Sequence, residues 1–394
     1  MIHPENLVNC CGCGACANVC PVRCISMRED AEGFLYPVVD RAKCRQCGLC
    51  EKACVCSVDS TAVASHSVQY ACGCYTRNAD VRRESSSGGV FYELARNIFQ
   101  RGGYVFGVRM GESCQTASFT KAESEADLKR LLGSKYLQAV TGDVYREVKR
   151  ELDAGRAVLF SGTPCQINAL RLYLRKDYAH LFCVDVICHG TPSPKLWRMY
   201  VDYLQRSYKA VVTGVNFRCK ETGWRNFGLQ TESSSRQRLF IPKDRDPYMR
   251  MFLGNYSLRP SCYDCASKAF RLSDLTIGDF WGIEHVLPAL DDGNGTSLVF
   301  IRTDKGRELF ACIQDCLQYA EVPYARAIRY NLAEYESVSR PEQRNDFFQD
   351  MNTISFESLS KKYCKDISIY RRIRRKVGKI WKKMTGVWGS KETI

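Results

Sequence analysis

The sequence contains no run of eighteen or more apolar residues, so it predicts no transmembrane helix. Its first residues, MIHPENLVNCCGCGAC, have no basic region followed by an apolar stretch, and we therefore expect no signal peptide. A G-x-G-x-x-G fingerprint is also missing, which argues against an ordinary dinucleotide-binding fold. These absences predict a cytoplasmic protein, and 394 residues are enough for more than one domain.

Cysteine is the residue in excess. The chain has 23 cysteines, and eleven of them fall within residues 10–56. Cysteines only two or three residues apart are unsuited to disulfides that close long loops, but they can act together as ligands of one metal centre. The spacing therefore argues against a secreted disulfide scaffold and predicts a reducing compartment.

Two copies of the pattern C-x2-C-x2-C-x3-C account for most of these residues. The eight cysteines of the two copies are Cys10, Cys13, Cys16, Cys20, Cys44, Cys47, Cys50 and Cys54. In two-cluster ferredoxins, three cysteines of each motif ligate one 4Fe-4S cluster and the fourth ligates the other. We therefore predict that cluster I takes the first three cysteines and Cys54. Cluster II then takes Cys20 and the cysteines at positions 44, 47 and 50.

A pair of zinc sites is the alternative, although zinc usually takes two separated C-x2-C pairs. Pro21 follows the first motif, whereas Val55 stands where the second motif usually has proline. Cys11, Cys24 and Cys56 have no ligand role in this pattern, and we predict that they are small buried residues.

The rest of the chain alternates between strand and helix patterns. Residues 1–60 form the predicted α+β ferredoxin-like module, and the small polar residues of 61–75 are predicted to be a linker. VFYELARNIF then predicts a helix and YVFGV a strand, and AVLFS, CQINALRLYL and LFCVDVIC continue the alternation. This order predicts an α/β domain with a mostly parallel sheet.

Four further cysteines lie in unusual local contexts. Cys165 starts a predicted helix, Cys188 ends a predicted strand, and Cys262 and Cys265 form a C-x2-C pair. Spacing alone leaves two interpretations open. They form either a third cubane, or a structural zinc pair beside two unrelated core cysteines.

Several motifs in this part of the chain resemble the coenzyme F420 hydrogenase/dehydrogenase β-subunit family. They are, in order, ESSSGGVF, GSKYLQA, VLFSGTPCQINAL, VDVICHGTPSPKLW and CYDCASKAFRLSDLTIGDFWG. The resemblance implies an N-terminal-like region over 76–155 and a C-terminal-like region over 156–350. It also implies FAD beside a 4Fe-4S cluster, with Cys165, Cys188, Cys262 and Cys265 as the ligands of that third cluster.

The predicted flavin contacts lie at two strand-to-helix turns. Small residues and helix N-termini let the backbone approach and bind an anion, and α/β sheets bind ligands at the carboxyl ends of their strands. The residues of these turns are Ser86, Ser87, Gly88, Gly89, Gly162, Thr163 and Pro164. Lys135 is expected either to offset pyrophosphate charge or to lie by the flavin ring. The resemblance adds Gly278 and Asp279.

Other residues keep two interpretations each. His189 is either a proton donor near the flavin or a hydrogen-bonded structural histidine. Trp224 and Trp281 either pack in the core or stack on a ring. The basic residues of one segment form either a pocket for an anionic substrate or a solvated face, and they are Arg218, Lys220 and Arg225.

The C-terminal segment 351–394 is predicted to be a basic amphipathic tail. Residues 361–383 hold eleven Lys or Arg and one Asp, about +10 of the net charge of +14. Apolar residues recur at helical spacing through 361–388, which indicates a helix at a membrane surface. A helix packed on the body and a docking arm for an acidic ferredoxin are the alternatives. No nucleic-acid module accompanies the charge, so we predict no nucleic-acid binding.

The sequence and the family resemblance therefore predict a cytoplasmic iron–sulfur flavoprotein oxidoreductase, with peripheral contact at the inner face of the membrane as one interpretation of its tail. Electrons would pass between a ferredoxin-type or reduced deazaflavin donor, the 4Fe-4S clusters and FAD to reduce a small organic substrate. Two alternatives stay open. The chain is an electron-transfer subunit of a larger redox complex, or its large domain is a scaffold without flavin.

Overall fold

The computed structural model describes residues 2, 4–58 and 63–364. Among these residues, the strands in chain order are β1 (Ile25–Glu29), β2 (Leu35–Val39), β3 (Tyr70–Thr76), β4 (Tyr104–Met110), β5 (Ala117–Ala122), β6 (Ala139–Val140), β7 (Val158–Gly162), β8 (Leu181–Val186), β9 (Val212–Cys219), β10 (Gly228–Ser233), β11 (Arg238–Pro242), β12 (Leu275–Asp279), β13 (Ser297–Ile301) and β14 (Leu317–Glu321). The tail predicted for 351–394 begins too early, because the helix Phe356–Tyr363 packs on the sheet domain with Phe356 and Leu359 buried in the core. The part of the predicted tail beyond Cys364 lies outside the described residues.

The helices occupy the connections between these strands and both ends of the described chain. They are α1 (Ala15–Val19), α2 (Leu49–Lys52), α3 (Ala79–Glu84), α4 (Val90–Gln100), α5 (Glu125–Leu131), α6 (Val144–Asp153), α7 (Pro164–Leu174), α8 (Pro194–Tyr208), α9 (Pro247–Leu253), α10 (Ile283–Val286), α11 (Asp304–Ala311), α12 (Tyr324–Ile328), α13 (Arg344–Thr353) and α14 (Phe356–Tyr363).

Nine of the described strands form one sheet in the order β14-β3-β13-β12-β8-β7-β4-β5-β6. Its centre, β12-β8-β7-β4, is parallel, and β5 and β6 also pair in parallel. The remaining neighbours are antiparallel. β7 and β8 begin as buried apolar runs, as is typical of parallel strands covered by helices on both faces. The predicted α/β alternation is thus confirmed, and its parallel part is the centre of a mixed sheet.

The predicted linker over 61–75 is too long at its C-terminal end. β3 begins at Tyr70 and lies inside the large sheet, between β14 and β13. Before it, the backbone N–H of His66 donates to the carbonyl of Arg271 at 2.8 Å. The segment resembles a linker in composition because its residues are small. Cys72 and Cys74 are nevertheless completely buried, since small side chains fit between the sheet and its helices.

The N-terminal module consists of the β1–β2 hairpin, the two short helices and the cysteine loops. Gly14 and Gly48 precede α1 and α2 and have φ angles of 73° and 71°, a left-handed conformation that glycine adopts without strain. The duplication seen in the cysteine spacing is therefore also present in the backbone. Its buried cluster consists mostly of cysteine, with Cys16, Cys20, Cys24 and Cys50 around Ile25.

The module packs directly against the sheet domain. From α6, the guanidinium of Arg146 donates to the carbonyls of Ala17, Asn18 and Cys20 at 3.2, 2.7 and 2.9 Å. From α13, the buried Arg344 forms a two-point ion pair with Glu32 at 2.9 and 2.6 Å. These contacts fix the cysteine loops relative to the carboxyl ends of the parallel strands.

Candidate redox centre

A cavity of about 620 Å³ opens at the carboxyl ends of β7, β8 and β12. Eight of the ten predicted cofactor-binding residues line it, and they are Ser86, Ser87, Gly89, Lys135, Gly162, Thr163, Gly278 and Asp279. The other two, Gly88 and Pro164, are not among its lining residues. Gly88 packs against the backbone of β3, where a Cβ atom would lie 2.4 Å from the Cys74 carbonyl oxygen. Pro164 is the buried first residue of α7.

Two helices direct their N-termini towards this cavity. Gly89 precedes α4 with φ of 86°, and Thr163 caps α7 in a capping box with Gln166. In that box the backbone N–H of Thr163 donates to Oε1 of Gln166 at 2.9 Å. Because the N-terminal end of a helix carries partial positive charge, both turns favour an anionic group in the cavity.

Lys135 already has partners within the protein. Its ammonium donates to the carbonyls of Arg130, Leu131 and Leu132 at 3.3, 2.8 and 2.7 Å, and so it caps the C-terminus of α5. Burial lowers the pKa of Lys135 to about 7. Its side chain lines the cavity as predicted, and the two predicted roles towards a flavin stay predictions.

The three predicted basic residues do not form one pocket. Arg218 lines the cavity and is 3% exposed. Lys220 is tied to the backbone instead, with carbonyl partners at Arg82, Ser87 and Asn294 (2.6, 3.0 and 3.0 Å), and burial lowers its pKa to about 8. Arg225 is not a lining residue, because it pairs with Glu284 and Asp291. The sequence could not separate these roles.

Lys243 is a cation of the cavity that sequence reasoning missed. Its ammonium lies 4.5 Å from the centre of the Phe227 ring, and the Arg218 guanidinium lies 3.8 Å from the same ring. Burial lowers the pKa of Lys243, and the nearby Arg218 charge acts in the same direction. Lys243 lies after β11 in a charged turn, and nothing in that local sequence points to a cavity.

Asp279 links Arg218 to a pair of stacked tryptophans. Its Oδ1 atom accepts from Arg218 at 2.7 Å and from Nε1 of Trp224 at 3.0 Å. Trp224 is buried and stacks on Trp281, with ring centres 4.8 Å apart and planes within 12°. Trp281 lines the cavity, whereas Trp224 does not. Of the two tryptophans, therefore, only Trp281 is placed to contact a ligand.

His189 also lines the cavity, and it is held by two neighbours. Its Nε2 atom lies 2.8 Å from Oδ1 of Asn255, within hydrogen-bond distance. The ring lies edge-on to Phe252, with centres 5.3 Å apart. Burial lowers the pKa of His189, which favours the neutral ring. This geometry suits the structural interpretation.

Of the four cysteines assigned to a third cluster, Cys165 and Cys188 line the cavity. Burial raises the pKa of Cys262, and the nearby thiols of Cys188, Cys265 and Cys165 add to that rise. Burial likewise raises the pKa of Cys188 to about 11, with Cys165 and Cys265 contributing. The backbone N–H of Thr191 donates to Cys262 Sγ at 3.3 Å. All four are free thiols, and their assignment as the ligands of a third cluster stays a prediction.

The four cysteines predicted for cluster II, Cys20, Cys44, Cys47 and Cys50, line one small pocket together with Cys24. Burial raises the pKa of Cys16, and Cys13, Cys10 and Cys50 contribute. The two predicted ligand sets therefore lie close to each other, and their assignment to two clusters stays a prediction. Within residues 2, 4–58 and 63–364, no three His, Cys, Asp or Glu side chains are placed to share a single metal ion. A cubane does not require such a group, because its four thiolates surround a cluster of four irons.

Cys11 is more than a small buried residue. It lines the cavity, and hydrogen bonds to Cys13, Cys165 and Cys56 raise its pKa. It therefore lies between a predicted ligand of cluster I and one of the third cluster. Cys24 does fit the prediction, since it is buried with its sulfur 3.4 Å from that of Cys20. The only sequence signal for Cys11 is that it directly follows Cys10.

Comparisons with known proteins find two matching domains in this chain. A family model that describes the C terminus of the coenzyme F420 hydrogenase/dehydrogenase β-subunit matches residues 155–325, and a 4Fe-4S dicluster domain matches residues 9–58. The chain is 22% identical over 335 residues to the F subunit of F(420)H(2) dehydrogenase from Methanosarcina mazei, and the match covers 80% of this chain and 85% of that protein. A chain of the F420-reducing NiFe hydrogenase complex from Methanosarcina barkeri aligns with a TM-score of 0.47 and 17% identity, over 72% of this chain and 90% of that one.

The two domain matches relate the chain to iron–sulfur electron-transfer subunits of oxidoreductases. More particularly, residues 155–325 match the C-terminal model of the coenzyme F420 hydrogenase/dehydrogenase β-subunit, which the motifs resembled, and residues 9–58 match a 4Fe-4S dicluster domain. No helix among the described residues is long and apolar enough to cross a membrane.

Proposed function

We propose that this protein is an iron–sulfur flavoprotein that carries electrons from a ferredoxin-type or reduced deazaflavin donor, through three 4Fe-4S clusters and FAD, to an organic substrate. One observation carries the proposal. Cys11, Cys165 and Cys188 line the same cavity as eight of the ten residues predicted to bind the cofactor. The thiols predicted to bind the third cluster are thus adjacent to the cavity. This cavity is large enough for a cofactor and lies at the carboxyl ends of parallel strands.

FAD, when bound, would couple the one-electron steps of the clusters to two-electron chemistry on a substrate. The N-terminal turns of α4 and α7, with Ser86, Ser87 and Gly162, would receive its anionic portion. Trp281 offers a flat apolar wall that is backed by Trp224. These residues bind and orient, and the low polarity of the walls excludes water.

The charges of the cavity favour an anionic ligand group. Arg218 and Lys243 are the two cations on the Phe227 ring, and Asp279 forms the ion pair with Arg218. In the part of the chain that the structure describes, the buried Nε atom of Arg218 has no hydrogen-bond partner. A buried guanidinium N–H without an acceptor is unfavourable, and an anionic group in the cavity would satisfy it. Either the pyrophosphate of FAD or an acidic group of the substrate could be this anionic group.

An electron-transfer subunit of a larger complex is the second candidate. The relative from Methanosarcina mazei is named as a subunit of a dehydrogenase. The cavity rim of this chain also carries apolar side chains that are exposed, namely Leu253, Tyr330 and Leu332. A partner subunit would cover that rim. In this case the isolated chain would bind its clusters but reduce no substrate by itself.

The deciding experiment counts iron, acid-labile sulfide and flavin per chain on protein purified without oxygen. We expect about twelve iron atoms and one flavin. Cys262→Ala should lower the iron content to about eight atoms, because it removes one ligand of the third cluster. Cys183→Ala is the matched control, since Cys183 is another buried, free cysteine but lies outside the predicted ligand set. About eight iron atoms and no flavin in the unaltered protein would exclude the proposal and leave the second candidate.

The proposed anion site has its own matched pair of variants. Arg218→Gln should weaken flavin binding about ten- to a hundredfold, because a buried charge–anion contact is worth about 1.5–3 kcal/mol. Arg225→Gln should leave it unchanged, since Arg225 pairs outside the cavity. The dissociation constant is measured by flavin fluorescence. Equal losses of flavin affinity in both variants would contradict this assignment. If Arg218→Gln loses affinity for the substrate but binds flavin normally, the anion that Arg218 binds belongs to the substrate and not to FAD.

A further inference from the structure

Arg259 is the buried cation at the contact between the dicluster module and the sheet domain. It is 1% exposed and directly precedes the turn Pro260–Cys262. Its guanidinium donates from Nε to the carbonyl of Cys10 at 2.5 Å and from Nη2 to the carbonyl of Leu35 at 3.1 Å. Nη1 donates to Oε1 of Gln138 at 3.2 Å. One side chain therefore connects a cysteine loop, the β1–β2 hairpin and the body.

All three of these acceptors are neutral. Across the described ranges, Arg259 forms no ion pair with a carboxylate, whereas the other buried arginines do. Arg344 pairs with Glu32, Arg271 with Asp185 and Glu334, and Arg302 with Glu334. A fully buried guanidinium with only neutral partners is strongly unfavourable. Its counter-charge must therefore come from something other than a carboxylate.

Arg259 lies between two cysteine loops. Its guanidinium contacts the carbonyl of Cys10, and its own backbone carbonyl accepts from the N–H of Cys262 at 3.0 Å. Arg259 is thus placed beside a predicted ligand of cluster I and a predicted ligand of the third cluster, whose thiolates would supply the negative charge.

The first cysteine loop is shaped to lie flat against this guanidinium. Gly12, between Cys10 and Cys13, has φ of +68°. A Cβ atom there would lie 2.8 Å from Nη1 of Arg259 and 2.2 Å from Nε2 of Gln138. Neither can move away freely, because both are buried and hydrogen-bonded. The glycine is required by the close approach of the loop to the cation.

We propose that Arg259 is the shared counter-ion of cluster I and the third cluster, and that it positions the two clusters and sets their reduction potentials for electron transfer. A cubane with four thiolates is anionic and gains a further negative charge on reduction, so a fixed buried cation favours the reduced form. Because one charge acts on both clusters, it raises both potentials together. This inference rests on the cluster assignment of the proposed function.

The test is a potentiometric titration of the anaerobic holoprotein, followed by electron paramagnetic resonance. Arg259→Gln should lower the equilibrium constant for reduction of cluster I and of the third cluster at least tenfold, which is about 59 mV for one electron. Cluster II is the internal reference, since its cysteines line a separate pocket, and it should shift least. Arg259→Lys keeps the charge and should restore most of the difference.

Two further variants separate charge from docking. Gln138→Glu places a carboxylate against the guanidinium, and it should lower both potentials with Arg259 still present. The double variant Glu32→Gln with Arg344→Gln removes another contact of the same interface without changing the net charge. It should leave the potentials unchanged.

The outcomes distinguish this inference from the proposed function. About eight iron atoms in the unaltered protein would overturn the third cluster itself. With about twelve atoms present, unshifted potentials in Arg259→Gln and Gln138→Glu would overturn the role of Arg259 alone. If Arg259→Gln loses iron, the potentials of Gln138→Glu decide the role of Arg259. Lowered potentials in that variant would support the inference, and unshifted potentials would overturn it.

Discussion

The N-terminal module and the sheet domain are held together by different kinds of interaction. In the module, the buried residues of the main cluster are four cysteines and Ile25. In the sheet domain, the cores consist of large aliphatic and aromatic residues, such as Leu94, Val299 and Phe310. Thiols give little hydrophobic stabilisation, and so short a segment buries too little apolar surface to fold on that basis.

The two regions are therefore expected to be stabilised in different ways. The module relies on metal–thiolate bonds, so its folding and its cofactor content are one equilibrium. The sheet domain is stabilised by apolar burial. We therefore expect substitutions to affect the two regions through different observables, and three predictions test this.

The largest expected effect comes from Cys20 in the module. Cys20→Ala should remove about four iron atoms and the hydrogen-exchange protection of β1 and β2, because it deletes a predicted ligand of cluster II. The measurements are iron content and hydrogen–deuterium exchange. Cys24→Ala is the control, since Cys24 is equally buried and its sulfur is 3.4 Å from that of Cys20. If Cys24→Ala loses iron and Cys20→Ala does not, the ligand assignment is wrong.

Phe310 in α11 tests the sheet domain. It is almost fully buried, and its ring lies edge-on to Tyr319 at 6.1 Å. Phe310→Ala should lower the free energy of unfolding by about 3–5 kcal/mol, because it leaves a cavity in the core, while the iron content stays unchanged. Circular dichroism during denaturation measures the first effect. Val211→Ala, at an exposed position, should change the stability little. Loss of iron in Phe310→Ala would show that the two regions are not independent.

The ion pair between Arg344 and Glu32 measures how strongly the two regions are coupled. It joins α13 to the module, and its arginine is buried. A double-mutant cycle with alanine at both positions should give a coupling free energy of about 1–3 kcal/mol, from thermal denaturation of the four proteins. Protection of β1 and β2 from exchange should fall in both single variants. A coupling near zero would mean that the carbonyl contacts of Arg146 and Arg259 suffice to dock the module.

The features that could be predicted from the sequence are those that depend on residues close together in the chain. The predicted cysteine ligands of clusters I and II depend on spacings of two or three residues, and the helices α4 and α7 follow from local apolar periodicity. The basic cluster shows the limit. Arg218, Lys220 and Arg225 are neighbours in sequence, yet only Arg218 lines the cavity, since it belongs to β9 while the other two lie in the turn after it.

Lys243 and Arg259 were missed for a related reason. Each acts through residues far away in the chain. Lys243 meets Arg218 across the Phe227 ring, and Arg259 reaches Cys10 across 249 positions. No local pattern distinguishes such a residue from an ordinary surface charge. Only its burial and its neutral partners, both properties of the fold, reveal it.

The sequence by itself determined the cysteine motifs, the alternation of strands and helices and the family domain, because each depends on short spacings or periodic burial. The tertiary structure decided which cations face the cavity, that β3 belongs to the sheet, and that Cys11 lies beside Cys165. These depend on where distant segments meet, and that is set by packing of the whole core rather than by any local stretch of residues.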